Sequence, residues 1–306
     1  MDLPDLFPGF SSTTVRTDGA KIFARIGGPE DAPPVVLVHG YPQTGAMWHA
    51  IAPALAKTHR VIVPDLRGYG WSSVPEAEAD HAQMSKRAMA ADIVRVMEEL
   101  GHVRFAYVGH DRGARAGYRL ALDHPGRLEK LILLDIVPTF AMWEGMNAQL
   151  AMKVYHWLFL AQPAPFPERM IGGNALAYLE HTLASWTASK SLDAFDAGAL
   201  AHYRASFTVP ERIAATCEDY RAGATIDLEH DRAARAAGAR FDVPTLVLYG
   251  ASGIPADGAR GDVEAGPEAA WKPWASRLDV RAIDAGHFVA EEAPEATLAA
   301  IRAFLG

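Results

Sequence analysis

Five short apolar runs, each cut off by a residue suited to a turn or to chemistry, constrain this chain more than any other feature. Residues 35–38 read VVLV and stop at His39-Gly40. Residues 61–63 read VIV and stop at Pro64-Asp65. Residues 105–108 read FAYV and stop at Gly109, residues 131–134 read LILL and stop at Asp135, and residues 245–249 read TLVLY and stop at Gly250. Runs that are apolar throughout, rather than alternating, suit strands covered on both faces, as in a parallel sheet. Helical patterning lies between them, including 83–100 and 113–123. Strand alternating with helix predicts an open α/β sheet, whose ligands bind beyond the carboxyl ends of the strands. The polar residues that end the runs lie at those ends.

The stretch 140–237 breaks the rhythm. It holds aromatic and Met residues, a Pro-rich QPAPFP at 162–167 and mostly helical patterning, with no strong central strand. It reads as a helical cap inserted after the strand that ends at Asp135. The core is then 1–139 and 238–306, and the Gly-rich 250–266 reads as a long loop. A chain of 306 residues, 50% hydrophobic, is long enough for one large core with an inserted unit.

Composition excludes several classes. The net charge is −8 and no basic run is present, so neither nucleic acid nor an anionic membrane surface is an expected partner. The N-terminal MDLPDLFPGF has no basic n-region and no long apolar stretch, which leaves a cytoplasmic protein as the expectation. The single cysteine, Cys217, cannot form an internal disulfide, and its ATCEDY context reads as packing. No ligand cluster suggests zinc, and neither a metal nor a cofactor is expected.

The most informative segment is Gly109-His110-Asp111-Arg112-Gly113, which follows a strand and opens a helix. By itself, an aspartate between glycines reads as a turn or a helix cap. With His39-Gly40, Asp65-Leu66-Arg67-Gly68-Tyr69-Gly70 and Gly286-His287 in order along the chain, it reads as the G-x-S-x-G elbow of an α/β hydrolase with Asp in place of Ser. A serine needs a base before it can attack. Asp111 is already ionised at neutral pH, can attack a saturated carbon directly, and leaves an ester that water must cleave. His287, near the C-terminus, is the expected base for that water. Its partner is Asp135, which ends a buried strand, with Asp257 in the loop after TLVLYG as the rival. The N–H groups of Tyr41 and Arg112 are the expected oxyanion donors; His39 reads as a structural residue of its turn.

The segments HGYPQTGAMWH, DLRGYGWS, GHDRGARAGYRLALDHP and the late GHF, with KVYHWLFLAQPAPFPE and CEDYRAGA in the cap, resemble the haloacetate and fluoroacetate dehalogenases of the α/β-hydrolase superfamily, over essentially the whole chain. The resemblance implies a small haloacid substrate whose carboxylate is held by Arg112 and Arg115, and chemistry agrees. Without such cations a negative substrate would be repelled by Asp111, and guanidinium groups both bind a carboxylate and aim its α-carbon. The resemblance further implies a halide pocket of His156, Trp157 and Tyr220, each able to donate a hydrogen bond, and a homodimer formed through the cap. His156 and Trp157 are adjacent on a helical stretch and point about 100° apart, so their convergence depends on how the cap docks. Read without the resemblance, Tyr155-His156-Trp157 is an aromatic core stripe.

Two other classes use the same framework. Epoxide hydrolases also carry an Asp elbow, often followed by Trp, with two cap tyrosines; Tyr155, Tyr178, Tyr203 and Tyr220 leave that reading open. Haloalkane dehalogenases usually have Trp where Arg112 stands here. A binding protein on the same scaffold would keep Asp111, Asp135 and His287 only incidentally. Tyr41 occupies a position where the resembling group commonly has Phe.

Overall fold

A computed structural model describes residues 3–253 and 266–306. Its strands are β1 (Ser11–Arg16), β2 (Lys21–Gly27), β3 (Pro34–Val38), β4 (Arg60–Pro64), β5 (Phe105–His110), β6 (Leu128–Leu134), β7 (Thr245–Gly250) and β8 (Leu278–Ile283). They form one sheet in the order β1-β2-β4-β3-β5-β6-β7-β8. The pairs β1–β2 and β2–β4 are antiparallel and the rest are parallel.

The five apolar runs are β3 to β7, the sheet interior. Val35, Val36, Leu37, Val61, Ile62, Val108, Ile132, Leu133, Val247 and Leu248 have no exposed surface. Each such side chain contributes about 1.5–3 kcal/mol by leaving water. Three strands went unread in the sequence because they are marginal. In β1 only one of six residues is buried, in β8 only Ile283, and β2 alternates. Half-exposed strands lack the continuous apolar signature of central ones.

The Lys86–Glu99 and Arg112–Asp123 helices match the two helical patterns within a few residues. Between Leu134 and Thr245 the chain is helical and contains no named strand, from Thr139–Glu144 to Ile226–Ala236. The motif DLRGYG is largely architectural. Asp65 accepts from the N–H groups of Gly45 (2.7 Å) and Trp71 (2.8 Å). Arg67 makes a two-point ion pair with Asp92 and also donates to the carbonyl oxygens of Asp18 and Gln83. His39 Nε2 accepts from the Leu66 N–H at 2.9 Å, consistent with a structural role. Cys217 is fully buried, and burial pushes its thiol up to about 12, far from a reactive thiolate. No helix among the described residues is long and apolar enough to cross a membrane.

Candidate active site

Strand β5 delivers Asp111 into a tight turn where its φ is 44°, and the Arg112–Asp123 helix starts at the next residue. Asp111 is 6% exposed. A positive φ is costly for a residue with a Cβ and persists only where the surroundings impose it. The flanking glycines let them do so: a Cβ on Gly113 would lie 2.4 Å from the His39 carbonyl oxygen, and one on Gly109 would lie 2.7 Å from the Gly113 backbone. Strand end, helix start and the β3 turn meet within a space that no side chain can share.

Asp111 Oδ2 accepts from the Tyr41 N–H at 3.1 Å. The Arg115 Nε lies 4.0 Å from Oδ1. Burial would raise the carboxyl's pKa, but His287, Arg115, Arg112 and His110 outweigh it and hold Asp111 below its ordinary value, hence ionised.

His287 Nδ1 lies 2.6 Å from Asp135 Oδ2, and Asp135 Oδ1 accepts from the Gly250 N–H at 2.8 Å. Strand β6 thus ends on a carboxylate pinned to the end of β7, and the second contact fixes which oxygen faces the imidazole. His287 Nε2 is buried with no protein hydrogen-bond partner among the described residues. Burial would lower His287, but the Asp135 hydrogen bond and charge, with the charge of Asp111, raise it instead. The rival acid Asp257 lies outside the described residues.

The two arginines are arranged differently from a simple pair of open forks. Arg115 Nη1 donates to the Val137 carbonyl and to Thr139 Oγ1, both at 3.0 Å, while its buried Nε has no hydrogen-bond partner among the described residues. Arg112 turns its fork away from the elbow. Its Nε and Nη2 pair with the Asp219 carboxylate, Nη2 also reaches the Asp219 carbonyl at 2.8 Å, and Nη1 has no hydrogen-bond partner among the described residues. Asp219 thus occupies most of the Arg112 fork, and each arginine keeps one buried nitrogen without a hydrogen-bond partner among the described residues. The guanidinium of Arg115 sits 4.6 Å from the Trp157 ring centroid and that of Arg112 4.4 Å from the Tyr220 ring, so each cation lies over an aromatic face that attracts it.

His156, Trp157 and Tyr220 are all buried and drawn together, with ring centroids 5.6 Å apart for His156–Tyr220 and 6.1 Å for Trp157–Tyr220. Tyr41 joins them, 5.2 Å from Tyr220 and stacked on His156 at 6.2 Å. Burial, opposed by Asp111, brings His156 down to about 3, so its ring is neutral and its orphaned Nδ1 is either donor or acceptor by tautomer.

Three residues went unnoticed in the sequence. Asp219 precedes Tyr220, and its signal was indirect: two arginines at a buried site require a counter-charge. Trp186 packs its ring 4.3 Å from His156 and 5.5 Å from His287, with no motif to announce it. Glu291 accepts from Tyr203 Oη at 2.9 Å and from Gln43 Nε2, joining the short Val289–Glu292 helix to the helical insertion.

The α/β-hydrolase-fold family profile matches residues 33–294. A curated fluoroacetate dehalogenase from Burkholderia sp is 39% identical over 300 residues, 98% of this chain and 95% of its own. A solved α/β hydrolase from Nostoc sp PCC 7120 superposes with TM-score 0.90 at 46% identity, covering 97% of this chain and 98% of that one. A Pseudomonas aeruginosa structure described as a candidate epoxide hydrolase gives TM-score 0.91 at 40% identity, over 99% and 97% of the two chains. With a mainly parallel sheet that presents an acidic elbow at one strand end and a His–Asp pair at others, and with this profile matched over most of its length, the chain belongs to the α/β-hydrolase family.

Proposed function

We propose that this protein hydrolyses haloacetates, such as fluoroacetate or chloroacetate, to glycolate and halide. The observation that carries the reading is the elbow carboxylate lying beside two buried arginines, each with an unpaired nitrogen: a nucleophile for carbon next to a site for an anion.

In the first step Asp111 Oδ1 forms a bond to the substrate α-carbon while the carbon–halogen bond breaks and the halide departs with its electron pair. Arg112 Nη1 and Arg115 Nε hold the substrate carboxylate. His156, Trp157 and Tyr220 donate to the leaving halide, most valuably to fluoride, a compact and strong acceptor. In the second step His287 Nε2 takes a proton from water, and the hydroxide oxygen adds to Asp111 Cγ. The negative charge gathers on Oδ2 against the Tyr41 N–H, with the Arg112 N–H as the second donor. Collapse expels the glycolate alkoxide, which takes the proton from His287. Ester formation itself assists this step: it removes the Asp111 charge that raises His287, so the imidazole is more readily neutral when a base is needed.

The geometry supports an anionic over a neutral substrate. The Tyr203 hydroxyl is committed to Glu291, whereas those of Tyr178 and Tyr220 are not, so the support for an anion is the pair of buried cations beside Asp111. The epoxide hydrolase reading keeps its support from relatives of that description, and Arg115→Ala separates the two: turnover of a neutral epoxide survives, whereas haloacetate kcat/KM falls about a hundredfold or more. Halide release from fluoroacetate and chloroacetate, run beside Asp111→Asn, is the direct test. A wild-type protein that frees no halide, or an Asn variant as active as wild type, refutes the proposal. We further propose a cytoplasmic homodimer joined through the cap, where Met152, Leu158, Phe166, Met170 and Leu176 are exposed; a monomer by sedimentation refutes that.

A further inference from the structure

We propose that Asp219 is a positioning residue for substrate binding: it locks Arg112 so that Nη1 alone meets the carboxylate, and keeps this cation from collapsing onto the nucleophile beside it. The inference deepens the haloacetate reading and rests on it.

The Asp219 carboxylate has no freedom left. Oδ1 accepts from Lys86 Nζ and Arg112 Nη2; Oδ2 accepts from Tyr69 Oη at 2.8 Å and Arg112 Nε at 3.0 Å. A carboxylate offers about four acceptor sites, and here four donors occupy it in a place with no solvent exposure. Burial would raise its pKa, but Arg112 and Lys86 overcome this and hold it well below the usual carboxylate range, so it stays charged. Arg112 is fixed in turn on each side. Asp219 takes its edge and Tyr220 covers its face. The backbone at Gly223 lies so close that an added Cβ would sit 3.2 Å from Nη2 and 3.6 Å from Nη1. Arg112 is adjacent to Asp111 in sequence, and a freely rotating guanidinium there has an obvious partner in the nucleophile. Asp219 supplies a competing partner and leaves Asp111 Oδ1 unclaimed by Arg112.

The alternative is that Asp219 only joins the cap to the core. The two accounts differ in sign. Removing a negative charge from a merely structural pair makes the site more positive and strengthens anion binding. Removing the residue that orients Arg112 weakens it.

The test is calorimetric binding of glycolate, with haloacetate kinetics alongside. In Asp219→Asn the glycolate Kd rises about tenfold and the haloacetate KM rises more than kcat falls. In an Arg112→Ala background the same substitution adds nothing to the loss of glycolate affinity, because Asp219 acts through Arg112. Gly223→Ala provides a route that leaves Asp219 intact: crowding of Nη2 raises the glycolate Kd several-fold. Unchanged or tighter glycolate binding in Asp219→Asn, additive losses in the double variant, or unaltered affinity in Gly223→Ala would each overturn the proposal. Failure of the wild type to release halide counts against the haloacetate reading alone, since glycolate affinity reports on Asp219 without turnover.

Discussion

The Tyr41 N–H donates to one oxygen of Asp111 and leaves the other facing Arg115. The two oxygens of the nucleophile are thereby made unequal before any substrate arrives. In the mechanism proposed above, the oxygen held by the backbone becomes the ester carbonyl and then the oxyanion, and the other attacks. A single N–H would then serve both steps, first as orienter and then as electrostatic stabiliser.

Replacement of His287 separates those steps. Displacement needs only an ionised Asp111, whereas hydrolysis needs a base. His287→Ala is expected to release about one equivalent of halide per active site and then stop. Mass spectrometry of the peptide containing Asp111 should show an added carboxymethyl group. Halide release without a burst plateau, or a plateau with no adduct, contradicts the assignment.

Asp135→Asn should move the acid limb of the kcat profile. Asp135 raises the His287 pKa, so its removal lowers it. Turnover that requires neutral imidazole then persists to lower pH, while its plateau falls because the imidazolium formed in hydrolysis loses its counter-charge. An acid limb that moves to higher pH in the variant would be the wrong sign.

Tyr220→Phe is expected to slow fluoroacetate more than chloroacetate, by about tenfold in the ratio of their kcat/KM values. Fluoride leaves with more concentrated charge and gains more from a hydroxyl donor. Competition assays on mixed substrates give the ratio directly; equal losses for both acids would remove Tyr220 from the halide pocket.

Glu291 predicts a stability effect away from the chemistry. Burial drives its carboxyl up to about 8, while the Tyr203 and Gln43 hydrogen bonds oppose this. The folded state therefore holds this proton where the unfolded chain has released it. The stabilisation is complete below the unfolded value near 4.5 and is lost as pH rises through about 8. Glu291→Gln, neutral throughout, should raise the thermal midpoint at pH 8–9 relative to wild type and change it less at pH 5. A larger gain at pH 5 would mean that the carboxyl is charged in the native protein.

The framework was readable in the sequence where burial is two-sided. Strands β3 to β7 announced themselves because both faces are covered, and Asp111, Asp135 and His287 lay at their carboxyl ends or in the matching late loop. Strands β1 and β8 were silent because an edge position demands little of its side chains, and β2, one strand in from the edge, because its burial alternates. Arg112 and Arg115 were visible as cations beside an acidic elbow, but their orientations were not: that of Arg112 depends on Asp219, more than a hundred residues away, and that of Arg115 on Val137 and Thr139. Trp186 and Glu291 were hidden for a similar reason: each matters through contacts made in space by distant segments.

The helical insertion leaves from β6 and returns into β7, two strands that are already paired. Its entry and exit are neighbours, so the sheet would keep its bonding whatever lay between them. The segment between them can therefore be altered without breaking a strand pair. The Arg112–Asp219 pair is an exception to that independence. An insertion that carries this aspartate is matched to an elbow that carries this arginine, and removing the aspartate alone would leave the buried guanidinium stranded.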